Sequence, residues 1–202
     1  MRRLFSLAMV AALIATAVMP ASAFAGGPKV AFSATGTVAT VDQGSVRPAG
    51  NSGRFVVRDR TVTGTLGGPD LVGPYTFVFD TNVPLATQAG QVHGRMTVGA
   101  HKMNVVGRSA PAEGPYLACL DLTCFDPGMI VPVVRTSLSG KVTFLEGAQG
   151  NGDFTASAWL IITLDGHIVA VLPGGVPLLD LSFSFVGVST PGAVTVSGKW
   201  SP

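Results

Sequence analysis

The stretch VHGRMTVGAHKMNVVGR, Val92 to Arg108, carries the pattern that decides the fold. Its first half places apolar residues on one face of a strand: Val92, Met96 and Val98. Spacing in multiples of two is typical of a β-strand with one buried face. Met103 to Arg108 is the expected hairpin partner, across a turn at Gly99 to Lys102. A hairpin of two antiparallel strands is therefore the predicted unit of this chain.

The same alternation recurs on both sides of this hairpin. Tyr75, Phe77 and Phe79 share one face of a strand that is expected to end at Asp80 to Asn82. Val and Thr are frequent, and their branched Cβ atoms favour strands over helices. The sequence therefore predicts nine or ten strands and no helix.

Gly and Pro separate the predicted strands. Asn151-Gly152 and Asp165-Gly166 are predicted hairpin turns, because the central residues of such turns favour positive φ. Residues Pro173 to Pro177 and Thr190 to Gly192 are predicted to be plain turns. The strand over Gly53 to Leu66 is long, and its apolar phase shifts, which predicts a β-bulge at its centre.

An all-β chain of this size would expose apolar edges if its sheet stayed open, and closure removes those edges. We therefore predict a single closed or nearly closed antiparallel β-barrel over residues 26–202, with a two-sheet β-sandwich as the alternative. At the level of fold, the pattern resembles calycin barrels and the barrel shared by dirigent proteins and allene oxide cyclases. Such a resemblance implies an architecture and leaves function open.

The N-terminal residues 1–25 have the pattern of a cleaved signal peptide. Arg2 and Arg3 precede an apolar run, and small residues at Ala21 to Ala25 offer cleavage after Ala23 or Ala25. We expect export to the periplasm or the exterior, by the Sec or the twin-arginine route. No later stretch is long and apolar enough for a membrane helix.

The net charge of the chain argues against nucleic acid as a partner. The chain has 13 Lys and Arg against 11 Asp and Glu, so loss of Arg2 and Arg3 leaves the two signs equal. Nucleic-acid binding usually needs a basic surface, so we expect no nucleic-acid partner for this protein. We also expect no cofactor and no metal, because the histidines and cysteines lack a metal-ligand spacing.

The segment Ser109 to Val134 is predicted to be an insertion between two groups of strands. It contains both cysteines, Cys119 and Cys124, which we expect to form a disulfide because the chain is predicted to be exported. Its apolar residues would suit a lid over one end of the barrel or a contact surface.

Four residues are candidates for a ligand site or its lid. Asp59 lies at the predicted bulge between Arg58 and Arg60, where a surface carboxylate is the alternative. His93 lies on the polar face of its strand and is expected to point outward, or else into a wet interior. Tyr116 belongs to the insertion, and Trp159 to a strand that is apolar on both faces.

Three functions follow from these observations. The leading hypothesis is a non-catalytic barrel that binds a small apolar ligand or a component of the cell envelope. The second is an enzyme of the cyclase or isomerase type, with Asp59, His93 and Glu113 or Tyr116 as candidates, at least two of which must converge within hydrogen-bond reach of one pocket. The third is a structural or interaction module that acts through Ser109 to Val134. No catalytic motif is found, and the sequence does not predict the oligomeric state.

Overall fold

The computed structural model describes residues 28–50, 52–84, 87–119, 130–172 and 176–201. The predicted signal peptide and Cys124 lie outside these residues, and Cys119 is described in its backbone alone. The described chain contains strands and no helix. The ten strands are β1 (Val30–Asp42), β2 (Ser45–Pro48), β3 (Arg54–Gly67), β4 (Gly73–Pro84), β5 (Gly90–Val98), β6 (His101–Ser109), β7 (Glu113–Cys119), β8 (Ile130–Glu146), β9 (Gln149–Leu172) and β10 (Val176–Ser201).

Eight of the strands form a closed antiparallel ring, which confirms the predicted barrel. The order around the ring is β1-β10-β9-β8-β6-β5-β4-β3, and β1 pairs with β3 to close it. β2 pairs with β3, and β7 pairs with β8, so both lie outside the ring. The predicted hairpin of β5 and β6 is confirmed, with Val92, Met96 and Val98 all buried.

Aromatic side chains fill one end of the barrel, which we call the closed end. Trp200 lies at its centre, with ring-centroid distances of 5.1 Å to each of Phe32, Phe144 and His101. We call the opposite end, at the last residues of β1, β4 and β6, the open end. Eight strands leave an interior wide enough for side chains or for one small ligand. The closed end is occupied by side chains.

A bulge in β3 changes which residues face the interior. The pairing of β3 with β4 shifts between Val57 and Arg60, and Asp59 has a φ of 56°. The predicted bulge is therefore confirmed. After it, Arg60 pairs with Phe79 and Val62 with Phe77, and these partners face the core. The bulge thus brings a cation onto the inward face of the barrel.

Two of the predicted hairpin turns are wrong. Asn151 and Gly152 lie inside β9, and the chain turns instead at Gly147, whose φ is 83°. At Gly152 a Cβ atom would lie 2.2 Å from the carbonyl oxygen of Ser197, so this glycine permits close approach of β10. Asp165-Gly166 also lies inside β9, where pairing with Ser182 and Leu181 outweighs the local turn preference.

The expected turn at Thr190 to Gly192 is wrong as well, because these residues belong to β10. The pairing of β10 with β9 shifts between Thr190 and Ala193, and Pro191 falls within this irregularity. Proline cannot donate to the ladder and is tolerated in a strand at such a bulge. Of the turn predicted at Pro173 to Pro177, residues 173–175 lie outside the described chain, and Val176 and Pro177 begin β10.

β9 and β10 continue past the open end of the barrel as a two-stranded arm. β8 pairs with β9 as far as Ile161, and β1 pairs with β10 as far as Gly192. The pairing of β9 with β10 continues to Leu172 and Val176. The predicted insertion contributes β7, which pairs with the first residues of β8 at this same end.

Candidate functional site

The candidate site is a cavity inside the barrel that reaches toward the open end. Its volume is about 50 Å³, measured as the space open to the centres of water-sized spheres. A water molecule needs roughly 10–15 Å³ on this scale, so the cavity holds about three to five water-sized positions. The wall is largely apolar and includes Val38, Val62, Phe77, Phe79, Leu138 and Phe154.

Two buried hydroxyls on β4 have no hydrogen-bond partner among the described residues. They are Tyr75 Oη and Thr81 Oγ1, and the residues are 2% and 5% exposed. Both residues line the cavity. A buried polar group without a partner costs roughly 1–3 kcal/mol, which a hydrogen bond from a ligand would recover. Burial also raises the pKa of Tyr75, so its phenol is neutral at physiological pH.

The cavity wall also includes the guanidinium of Arg60. Arg60 lies opposite Phe79 in the ladder and therefore diagonal to Thr81, a separation that a long side chain can span. Its Nε donates to the carbonyl oxygen of Gln43 at 3.3 Å, which anchors the side chain to the wall. Burial lowers the pKa of Arg60 to about 10, so the group remains a cation at neutral pH.

Hydrogen bonds hold the rim of the open end together. Ser109 Oγ donates to the carbonyl oxygen of Gln88 and accepts from the backbone N–H of Gly90, both at 2.9 Å. The N–H of Ala112 donates to the carbonyl oxygen of Thr87 at 2.8 Å. Gln88 and Ser109 both line the cavity. The segment that follows β6 is therefore tied to the loop before β5 at the mouth of the cavity.

The structure places Asp59 and His93 on the outer surface, away from the cavity. Both are exposed. The N–H of Asp59 donates to Asp80 at 3.0 Å, and Asp80 also accepts a hydrogen bond from Arg58. The N–H of Asp59 first, and Arg58 second, lower the pKa of Asp80. His93 pairs with Asp80 in the ladder, so these two residues share an outer patch of the wall.

Tyr116 and Trp159 meet each other outside the barrel interior. Their ring centroids are 5.7 Å apart in an edge-to-face arrangement. Tyr116 is 51% exposed, and neither residue lines the cavity. Glu113, a further candidate from the insertion, forms an ion pair with Arg135 at 3.4 Å. The convergence that the cyclase or isomerase hypothesis requires is therefore not found for Asp59, His93, Glu113 and Tyr116.

The polar residues of the cavity were missed by the sequence analysis, although their positions carry a recognisable pattern. Arg60 stands two residues before Val62, in phase with the apolar face of β3. Thr81 likewise follows Phe79 in the phase of the buried aromatics of β4. A polar residue in phase with an apolar face indicates an inward position.

Comparison with protein-family models, with curated proteins and with solved structures found no match. Within the described ranges, no helix has the length and apolar character needed to span a membrane. In the same part of the chain, no group of three or more His, Cys, Asp or Glu residues is arranged to hold a metal ion.

Proposed function

We propose that the protein is an exported, non-catalytic binding protein that holds one small, mainly apolar ligand inside its barrel. The observation that carries this proposal is a pair of hydroxyls, Tyr75 Oη and Thr81 Oγ1, that have no hydrogen-bond partner among the described residues and lie in a cavity with apolar walls. Binding sites for small molecules are typically apolar with a few polar groups that orient the ligand. Export rests on the signal-peptide pattern of residues 1–25.

The size of the cavity sets the class of ligand. Three to five water-sized positions accommodate a single aromatic ring or a short branched chain, and a long lipid would need side chains to move. A component of the cell envelope would therefore bind through one small apolar group. The non-catalytic character is supported by the outer positions of Asp59 and His93.

Methyl-region NMR of the folded protein, titrated with toluene, tests the proposal. We expect saturable shifts in the methyl groups of Val62 and Leu138, which line the cavity. Ala156→Leu fills part of the cavity and should weaken binding at least tenfold. Ala31→Leu makes the same change at an exposed position of β1 and should leave binding unaltered. Absence of saturable binding by toluene, and of any ligand retained in native mass spectrometry, would contradict the proposal.

A second function is favoured by the outer surface of β7. Leu117 is 77% exposed and Tyr116 is 51% exposed, and both lie on a strand outside the ring. Among the described residues, β7 pairs with β8 alone, so its other edge resembles an edge strand open to pairing. We infer self-association through β7 as the alternative. Sedimentation should then show a dimer that Leu117→Ser dissociates, and a monomer at all concentrations would exclude it.

A further inference from the structure

The arm that continues past the open end has one apolar face and one polar face. It consists of residues 162–172 of β9 and 176–186 of β10, and among the described residues these two segments pair only with each other. Paired residues of antiparallel strands share a face, and successive pairs alternate between the two faces. The pairs on one face are Leu164 with Phe183, Gly166 with Leu181 and Ile168 with Leu179. The pairs on the other face are Thr163 with Ser184, Asp165 with Ser182 and His167 with Asp180.

The apolar face of the arm continues the inner face of the barrel. Ile162, at the base of the arm, is 4% exposed and belongs to the barrel core, whereas Thr163 is exposed. Leu164 follows in the phase of Ile162, but the pairing of β8 with β9 ends at Ile161. The ring that encloses the apolar face inside the barrel therefore ends where the arm begins.

Charge is scarce along the arm and in the parts of β9 and β10 that lead to it. Between Asp153 and Lys199 the sequence contains no Lys, Arg or Glu, and its only acidic residues are Asp165 and Asp180. Both of these fall on the polar face, beside His167. A contiguous apolar surface bordered by polar residues is typical of an interaction site. The lack of cations means that attraction to an anionic partner is not the basis of this interaction.

We propose that the arm binds a lipid membrane by lying in its interface, with its apolar face toward the acyl chains and its polar face toward water. An amphipathic segment in this position buries its apolar side roughly 5–10 Å into the boundary between headgroups and acyl chains. A lone pair of strands cannot cross the hydrocarbon, because each outer edge would leave backbone N–H and C=O groups without partners. At the interface, both edges stay within reach of water and headgroups.

The size of the apolar face favours a membrane over a second copy of the chain. From Ile162 to Leu172 the arm is roughly 35 Å long, and two strands are roughly 10 Å wide, so one face covers roughly 350 Å². A stable protein interface buries about 800 Å² on each partner. Binding to a membrane requires no such minimum, because it increases with the apolar area that is buried.

Flotation of the wild-type protein with phosphatidylcholine vesicles tests the inference. We expect the protein to float with these uncharged vesicles, and to float equally well when phosphatidylserine is included, because the arm has no cations. Binding should also persist in about 0.5 M NaCl, which screens charges over a few ångströms but leaves apolar burial intact.

Leu181→Asp should lower the ratio of bound to free protein at least about tenfold, because it replaces an apolar residue of the apolar face by a charged one. Ser182→Asp is the matched control, since it introduces the same charge at the next residue, on the polar face, and should bind as the wild type does. Thermal unfolding checks that both variants fold. If Leu181→Asp does not fold, Leu181→Ser tests the same position with a smaller change.

Each remaining outcome would overturn the inference. An equal loss of binding in Leu181→Asp and Ser182→Asp would show that the two faces of the arm do not differ toward lipid. Flotation only with phosphatidylserine, or its loss in salt, would assign binding to a basic surface. Release of calcein trapped in the vesicles would show that strands cross the hydrocarbon. Absence of flotation, with a dimer that Leu181→Asp dissociates, would assign the face to a second copy.

Discussion

Replacement of Tyr75 by Phe should stabilise the ligand-free protein. The residue is 2% exposed and its Oη has no hydrogen-bond partner among the described residues, so the hydroxyl is desolvated without compensation. Such a group costs roughly 1–3 kcal/mol. Phenylalanine removes the oxygen and retains the ring, and the slightly larger void offsets a part of the gain. We therefore expect the free energy of unfolding to rise by about 1 kcal/mol.

Equilibrium unfolding in urea, followed by tryptophan fluorescence, measures this change. Trp200 is a suitable reporter because it is 4% exposed and lies within the aromatic cluster of the closed end. With a slope of about 2 kcal/mol per molar urea, the midpoint should move up by about 0.5 M. The melting temperature should rise by roughly 2–4 °C, the shift typical of a domain of this size.

Tyr116→Phe is the matched control for this experiment. It deletes the same hydroxyl from a residue that is 51% exposed, so the stability should change by less than about 0.5 kcal/mol. A midpoint of Tyr75→Phe that stays the same or falls would refute the reasoning, because it would show that Oη is already satisfied in the folded protein without a ligand.

Three further predictions concern pH and backbone packing. Burial raises the pKa of Tyr75 above its ordinary value of 10.0, so the unfolded chain loses the phenol proton at a lower pH than the folded chain does. The free energy of unfolding should therefore fall as the pH rises above about 10, and it should fall less steeply in Tyr75→Phe. The pKa of Asp80 lies below its ordinary 3.8, so its stabilisation is present above that pH and is lost as the pH falls further. Asp80→Asn should therefore destabilise the protein at pH 7, and urea titration should show this effect shrinking as the pH falls below 3.8. Gly64→Ala should destabilise by several kcal/mol or prevent folding, because its Cβ would lie 1.8 Å from the Thr37 carbonyl oxygen. Gly67→Ala, whose Cβ would lie 3.8 Å from the nearest atom, should be tolerated in the same assay.

The alternation of apolar residues was sufficient to predict most strands and the closed barrel. Tyr75, Phe77 and Phe79 are buried as their phase predicted, and the bulge at Asp59 follows from the phase shift within β3. These features are local, because the two-residue spacing of apolar side chains and its interruption can be seen in neighbouring residues of the sequence. Each strand then needs only an antiparallel neighbour to bury its apolar face.

The turns of β9 and β10 were not predictable in the same way. Asn-Gly and Asp-Gly favour a turn when considered alone, but at residues 151–152 and 165–166 both pairs lie in a long strand. The pairing partner decides this outcome, since β10 pairs with β9 at all four of these residues. The arm past the open end was missed for the same reason.

The sequence by itself determined that this chain alternates apolar and polar residues in short runs, and hence that it forms an antiparallel sheet with an apolar interior. Only the tertiary structure decided which polar groups belong to that interior. The sequence analysis made Asp59 and His93 candidates for a ligand site, but both lie on the outer face of the closed ring. Arg60, Tyr75 and Thr81 line the cavity instead. The physical reason is that the bulge resets the inward phase of β3, and closure of the ring brings β3 and β4 together with the opposite strands around a shared space.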